Sequence, residues 1–188
     1  MAVQIGSQGQ PGFDTPFALM SDCHRRIEHF LEILQRVVDA YASVPLDGQA
    51  RTALLASLRY FRESAPNHTA DEEDSLFPRL RSLDRTDLEE LLLETEQLDR
   101  DHDQAELLHR SVDGTVHRWL DAGSLGTHEL NKLRHDLDAL GSLYTRHIRF
   151  EDTVLFPRAS GVLSKSEIKD IGAEMATRRG MSIDTPSR

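Results

Sequence analysis

Eleven consecutive positions of this chain occur twice. HTADEEDSLFP at 68–78 aligns with HIRFEDTVLFP at 147–157 as H-x-x-x-E-[ED]-x-x-L-F-P, at an offset of 79 residues. A shorter H-x-x-x-E precedes each copy, starting at His24 and at His102 with an offset of 78. Self-similarity at one period marks a duplicated structural unit. The chain therefore reads as two copies of one hairpin, and any fold proposed for it has to bring the two copies into equivalent environments.

The unit is helical. Leu outnumbers Val and Ile together, 26 against 8 and 7, a usage that favours helices over strands. After a loose start ending near Pro16, Phe17, Met20, His24, Ile27, Leu31, Leu34 and Val38 recur at spacings of three and four, one stripe of an amphipathic helix. Pro45 and Gly48 are expected to close it. A second stripe runs Leu54, Leu58, Phe61, Ala65, His68, Glu72 and Leu76, interrupted by Pro66, which should kink or break it. A third helix starts near Thr86 and carries Leu91, Leu98, His102, Ala105, Glu106, His109, Val112, Val116 and Trp119 roughly in phase, with Asp113-Gly114 weakening its middle. The glycine-containing loop 122–127 leads into a fourth stripe, Leu133, Leu137, Leu140, Tyr144, His147, Glu151 and Leu155. Four long helices joined by short loops predict an all-α bundle. Ser164-Lys165-Ser166-Glu167 has the form of a capping box and opens a short fifth helix that should fade near Arg179-Gly180. The expected organisation is a flexible segment over 1–15, the bundle over 16–160, a C-terminal helix over 161–180 and a tail over 181–188.

An i, i+4 spacing turns about 40° around a helix and climbs about 6 Å, so His and Glu so placed share a face. That face is also the apolar stripe, which aims the imidazoles inward. Burying several ionisable groups costs too much unless they pair or bind cations. Imidazole and carboxylate without thiolate suit iron, manganese or zinc. Six donors exceed a closed tetrahedral zinc set, whereas two ions about 3.5–4 Å apart can share bridging carboxylates. The predicted assignment is His24 and His68 on one ion, His102 and His147 on the other, with Glu72 and Glu151 bridging. Glu28 and Glu106 are optional terminal ligands or hydrogen-bond acceptors in the layer behind.

This order, His, H-x-x-x-E, His, H-x-x-x-E, with L-F-P after each long motif, resembles the hemerythrin-like HHE cation-binding family over roughly residues 17 to 160. The resemblance implies an up-down-up-down four-helix bundle around two iron ions, oxo- or hydroxo-bridged, with zinc or manganese as substitutes, and dioxygen or a related diatomic or peroxide as ligand. Its matching positions are His24, His68, Glu72, His102, His147 and Glu151. Oxygen-carrying hemerythrins have a further histidine where this chain has Glu106, and an aspartate at longer spacing where it has Glu151. The carboxylate-rich set directs the expectation away from reversible oxygen carriage and toward sensing, peroxide chemistry or iron handling, with binding or sensing of a small molecule as the leading reading. Peroxidase-like or catalase-like oxidoreductase activity, and iron handling in iron-sulfur centre repair, are the alternatives.

Around the ligands, the Tyr144 hydroxyl either hydrogen-bonds a ligand or packs in the core, and His109 is either an outer-layer group or a partly buried histidine. Tyr144 has no counterpart in the first copy, where Ala65 stands. His29, His117, His128 and His135 read as surface residues, Cys23 as a packed thiol. Asp71, Glu73 and Asp74 read as solvated, with Glu73 able to substitute for Glu72 if Pro66 alters the helical phase. With 22 basic and 32 acidic residues, a formal charge of −10 opposes nucleic-acid binding. One cysteine allows no internal disulfide, and Met1 to Gly12 lacks the basic start and apolar stretch of a secretion signal. No segment approaches the roughly 20 apolar residues of a membrane span. A cytoplasmic location and no membrane or nucleic-acid partner are expected; the protein partner and oligomeric state are left open.

Overall fold

The computed structural model describes residues 12–83 and 85–181, all helical or irregular with no strand among them. Residues 1–11 of the expected flexible segment and 182–188 of the expected tail lie outside the described residues. Helix α1 spans Pro16–Tyr41, α2 Gly48–Glu63 and α3 Ala65–Ala70. A π-helical turn, Asp71–Leu76, joins α3 to α4, Phe77–Ser82. A 3-10 turn, Thr86–Leu88, leads into α5, Glu89–Ala122. Then come α6, Thr127–Phe150, a second π turn, Glu151–Leu155, α7, Phe156–Val162, and α8, Lys165–Arg178. No helix among the described residues is long and apolar enough to cross a membrane.

Most boundaries have a visible cause. Pro16 opens α1 at a position whose N–H would be unpaired in any case. Asp47 caps α2 by accepting from the Ala50 N–H at 2.7 Å. Gly48 is thus the first residue of α2, not the terminator of α1 that the sequence suggested. Pro66 sits at the start of α3, just past the break at Ser64, as its missing donor requires. Helix α5 runs unbroken through Asp113-Gly114 and stops at Gly123, whose φ of 79° lies in the left-handed region that glycine enters without strain. Both halves of the capping box form on α8: the Glu167 N–H donates to Ser164 Oγ at 3.2 Å, and the Ser164 N–H to the Glu167 carboxylate at 2.7 Å.

Helix α1 packs on α2 and α6, and α5 packs along α6 and against α2. The interior divides into two apolar cores. One gathers Leu34, Leu54, Leu58, Val112, Val116, Trp119, Leu133 and Leu137 around the α2–α5–α6 end. The other gathers Met20, Leu76, Phe77, Leu80, Leu91, Leu155 and Phe156 with Ile171 and Met175 of α8. The fifth helix therefore completes this second core. Gly172 lets it do so, because a Cβ there would lie 1.8 Å from the Phe13 carbonyl oxygen. In sequence, His24 falls between Met20 of the second core and Ile27 of the first.

Candidate metal centre

Six donors, five of them buried and His102 largely so, converge at the junction of the two cores. His24 comes from α1, His68 from α3, Glu72 from the first π turn, His102 from α5, His147 from α6 and Glu151 from the second π turn. His24, Glu72 and Glu151 are fully buried, and His68 and His147 nearly so. Nε2 of His24 lies 3.0 Å from Glu151, and Nε2 of His68 lies 3.2 Å from Glu72. His102 Nε2 is 3.2 Å from Glu72 and His147 Nε2 3.2 Å from Glu151. Two groups could each hold a metal ion: His24, His68, Glu72 and Glu151, and Glu72, His102, His147 and Glu151. Both contain the same two glutamates.

The fit to ions is tested by what these atoms lack. Nε2 of His24 and both oxygens of Glu72 and of Glu151 are buried without an oriented hydrogen bond, although each stands 3.0–3.2 Å from another donor atom of the cluster. Buried polar atoms in native proteins are almost always paired. Donors about 2.1 Å from a common ion and at right angles to each other are separated by about 3 Å. The six residues have the spacing of a coordination shell and the unmet valence of one. Two glutamates buried among imidazoles also need positive charge.

The protein supplies a layer behind the donors, which sequence reasoning did not find. Asp152 accepts from His24 Nδ1 at 2.9 Å, from the Ser21 hydroxyl at 2.7 Å, and from Arg25. Glu73 accepts from His102 Nδ1 at 2.7 Å. An Nδ1–H held by a carboxylate leaves the Nε2 lone pair free for an ion. These two acids are the second acidic positions of the two motif copies, and each braces the histidine of the opposite copy. The motif phenylalanines follow the same rule: Phe156 stacks on His24 with centroids 5.6 Å apart, and Phe77 on His102 at 6.3 Å. Asp101 approaches His147 Nδ1 only to 3.6 Å, too far for a hydrogen bond, and His68 Nδ1 has none. The signal for the bracing was present in the [ED] of the repeat.

Burial alone would depress the pKa of His24 and His102, but the surrounding carboxylates outweigh it. His24 is raised by Glu151, Glu72 and Asp152, and His102 is raised to about 10 by Glu72 and Glu73. His68 is held well below the ordinary range by burial and by the other imidazoles. Glu72 is pushed up to about 7 by burial and the charge of Glu151, whereas His147 and His24 hold Glu151 low despite its burial.

Two expected ligands are not brought to the cluster. Glu28 is half exposed and pairs with Arg25, and Glu106 is exposed and pairs with Arg110 at 2.6 Å. A helix position one turn from His24 or His102 is on the right face, but at these helix surfaces that face has already turned to solvent. Asp71 also departs from expectation. It is fully buried, not solvated, and accepts from Arg178 at 2.9 Å and from Arg179 at 2.6 and 3.1 Å. Glu73 braces His102 and does not replace Glu72. Tyr144 and His109 line a cavity of about 350 Å³ beside the cluster, joined by a hydrogen bond of 2.8 Å. His29, His128 and His135 are exposed, and His117 is partly so. Cys23 is a buried free thiol whose pKa is raised by burial.

The family model of the hemerythrin HHE cation binding domain matches residues 15–159, which include all six clustered donors. Among curated proteins, none matches the chain.

Proposed function

We propose that this chain, which belongs to the hemerythrin HHE cation-binding family, holds a pair of iron ions and binds or senses dioxygen or a related small molecule there. His24 and His68 would hold one ion and His102 and His147 the other, with Glu72 and Glu151 spanning both. The observation that carries this reading is that the two donor quartets share those two glutamates, as ions a few ångströms apart require. A bound iron pair supplies redox-active, Lewis-acidic positions for a small oxygen ligand. The chain's own contribution is to orient four imidazoles, to neutralise the cations with two carboxylates, and to keep bulk water out with an apolar core at each end. The reading includes an up-down-up-down course for α1, α2–α4, α5 and α6–α7, and a cytoplasmic location, which suits a single buried thiol.

Metal analysis with absorption spectra before and after reduction and exposure to air tests the proposal. About two irons per chain and near-ultraviolet bands of a bridged pair support it; one tightly held zinc overturns it. A second reading, an oxidoreductase acting on peroxide, is favoured by the absence of any fifth histidine from the cluster, since Glu106 at that helix position faces solvent. Turnover of hydrogen peroxide by the iron-loaded protein separates the two.

A further inference from the structure

The cavity beside the cluster breaks the symmetry of the two hairpins. Its walls carry residues that the repeat relates in pairs: Ile27 with Ala105, and Ala65 with Tyr144. His109 corresponds to Leu31 of the first copy. Away from the ligand imidazoles and the rim, the lining is therefore apolar except where Tyr144 and His109 stand. His109 also stacks on Phe61, with centroids 4.2 Å apart, so the polar pair is set into an aromatic surface.

The cavity has room for much more than a diatomic. A volume of about 350 Å³ is more than twice the ~150 Å³ that takes up benzene, and lies in the ~300–1,000 Å³ range of ligand pockets. Four carboxylates, Glu73, Asp74, Asp103 and Glu106, stand along the lining, and the inner walls between them and the ligand imidazoles are mostly apolar or aromatic, a surface that favours an uncharged ligand over an organic anion. Chemistry narrows the class further. The Tyr144 hydroxyl uses one hydrogen-bonding function on His109 Nε2. Either its proton or its oxygen lone pair stays available, depending on the imidazole tautomer. A hydroxyl group, both donor and acceptor, satisfies either case.

We infer that this cavity binds a small uncharged organic hydroxyl compound, of phenol or benzyl alcohol size, with Tyr144 as its hydrogen-bonding partner and the apolar lining residues Ile27, Ala65 and Ala105 around its hydrocarbon. The inference deepens the dimetal reading and rests on it, because His24, His68, His102 and His147 border the same cavity.

The test is a fluorine NMR titration of the zinc-loaded full chain, which is diamagnetic, with 4-fluorophenol as probe and fluorobenzene as its non-hydroxylic counterpart. Zinc content is measured on the same samples. One saturable site per chain is expected for 4-fluorophenol. Tyr144→Phe should weaken it by about tenfold, the loss of one buried hydrogen bond, and leave fluorobenzene binding unchanged. Ala65→Met should fill the cavity and weaken both probes while zinc is retained; a cooperative thermal unfolding transition well above the titration temperature shows that both variants fold. If zinc is held but 4-fluorophenol does not saturate, binds no more tightly than fluorobenzene, or ignores Tyr144→Phe, the cavity site is overturned alone. If wild-type protein holds no zinc or iron, the dimetal reading falls and takes the cavity site with it.

Discussion

Asp152 and Glu73 hold equivalent positions in the repeat, yet they should not be equally important. Asp152 joins three partners, and its side chain is 18% exposed. Glu73 has His102 as its partner and is 39% exposed. Asp152→Ala strands the Nδ1–H of a fully buried imidazole, a desolvation penalty of about 1–3 kcal/mol. At about 1.4 kcal/mol per tenfold, that matches the roughly 10- to 100-fold in metal affinity usual for partners of ligating histidines. Water can reach His102 Nδ1 once Glu73 is removed, so Glu73→Ala should cost about tenfold or less. Arg25 is 54% exposed, and its freed charge adds little. Metal retention in a chelator titration, read by elemental analysis, gives both numbers. Asp152→Ala should lose half its metal first, from the ion assigned to His24 and His68, with the His102–His147 ion leaving at higher chelator concentration. A Glu73→Ala effect as large as that of Asp152→Ala, or less than a twofold effect for both, would refute the bracing argument.

Three further outcomes follow from the geometry. His109 is depressed to about 4 by burial, below its ordinary value near 6.5, so between those values the unfolded chain binds a proton that the native chain does not. Stability is therefore full above about pH 6.5 and falls as pH drops toward 4, by up to about 2 kcal/mol at pH 5; His109→Gln, which keeps a partner for Tyr144, should flatten that part of the urea-denaturation profile, and an unchanged slope would sink the assignment. Gly172→Ala sets a helix-propensity gain of about 1 kcal/mol against a Cβ 1.8 Å from the Phe13 carbonyl oxygen. Overpacking at about 1–3 kcal/mol should win and lower the melting temperature by a few degrees, whereas a rise would mean that α8 does not seat there. Finally, His147→Ala should release metal and destabilise the metal-loaded fold, while the same change at the half-exposed His117 should leave metal content intact.

The helix positions were legible because apolar periodicity and the breakers agreed. Pro66, Gly123 and the Ser164–Glu167 box act where local chemistry alone would put them. The six donors were legible because duplication raises a coincidence of spacing to a pattern. The π turns were not. Pro78 and Pro157 each stand two residues past the last residue of such a turn, and a proline at that point reads equally well as the first turn of a new helix. In the structure, the Phe77 N–H reaches back to the Glu72 carbonyl and the Phe156 N–H to that of Glu151. The wider turn relieves the clash between each proline ring and the carbonyl four residues before it. Each H-x-x-x-E pair thus runs from α into π geometry, so the helical-wheel reasoning found the right residues through a turn it did not describe. The solvent-facing ends of the shorter motifs were misjudged for a related reason. Periodicity gives the face of Glu28 and Glu106, but how far the neighbouring helices extend over that face is a tertiary fact.

The duplication is obeyed at the cluster and abandoned just outside it. Where the first copy has Asp71, the second has Phe150. A partly buried phenylalanine packs against the second core without further help, but a fully buried aspartate needs cations. Its own hairpin offers none within reach; Arg178 and Arg179 of α8 provide them, and Arg178 also donates to Ser75 Oγ at 2.7 Å. Arg79 returns the contact by binding Glu174 of α8 at 2.7 and 3.0 Å. The π turn that carries Glu72 is thereby clamped from outside, whereas its counterpart carrying Glu151 is held from within, through Asp152 and α1. Replacing both Arg178 and Arg179 by Met, with α8 still in place, would leave Asp71 buried without a cation, a cost of about 3–5 kcal/mol, at the residue adjoining a proposed bridging ligand. The fifth helix is therefore part of what positions Glu72, even though it contributes no donor to the cluster.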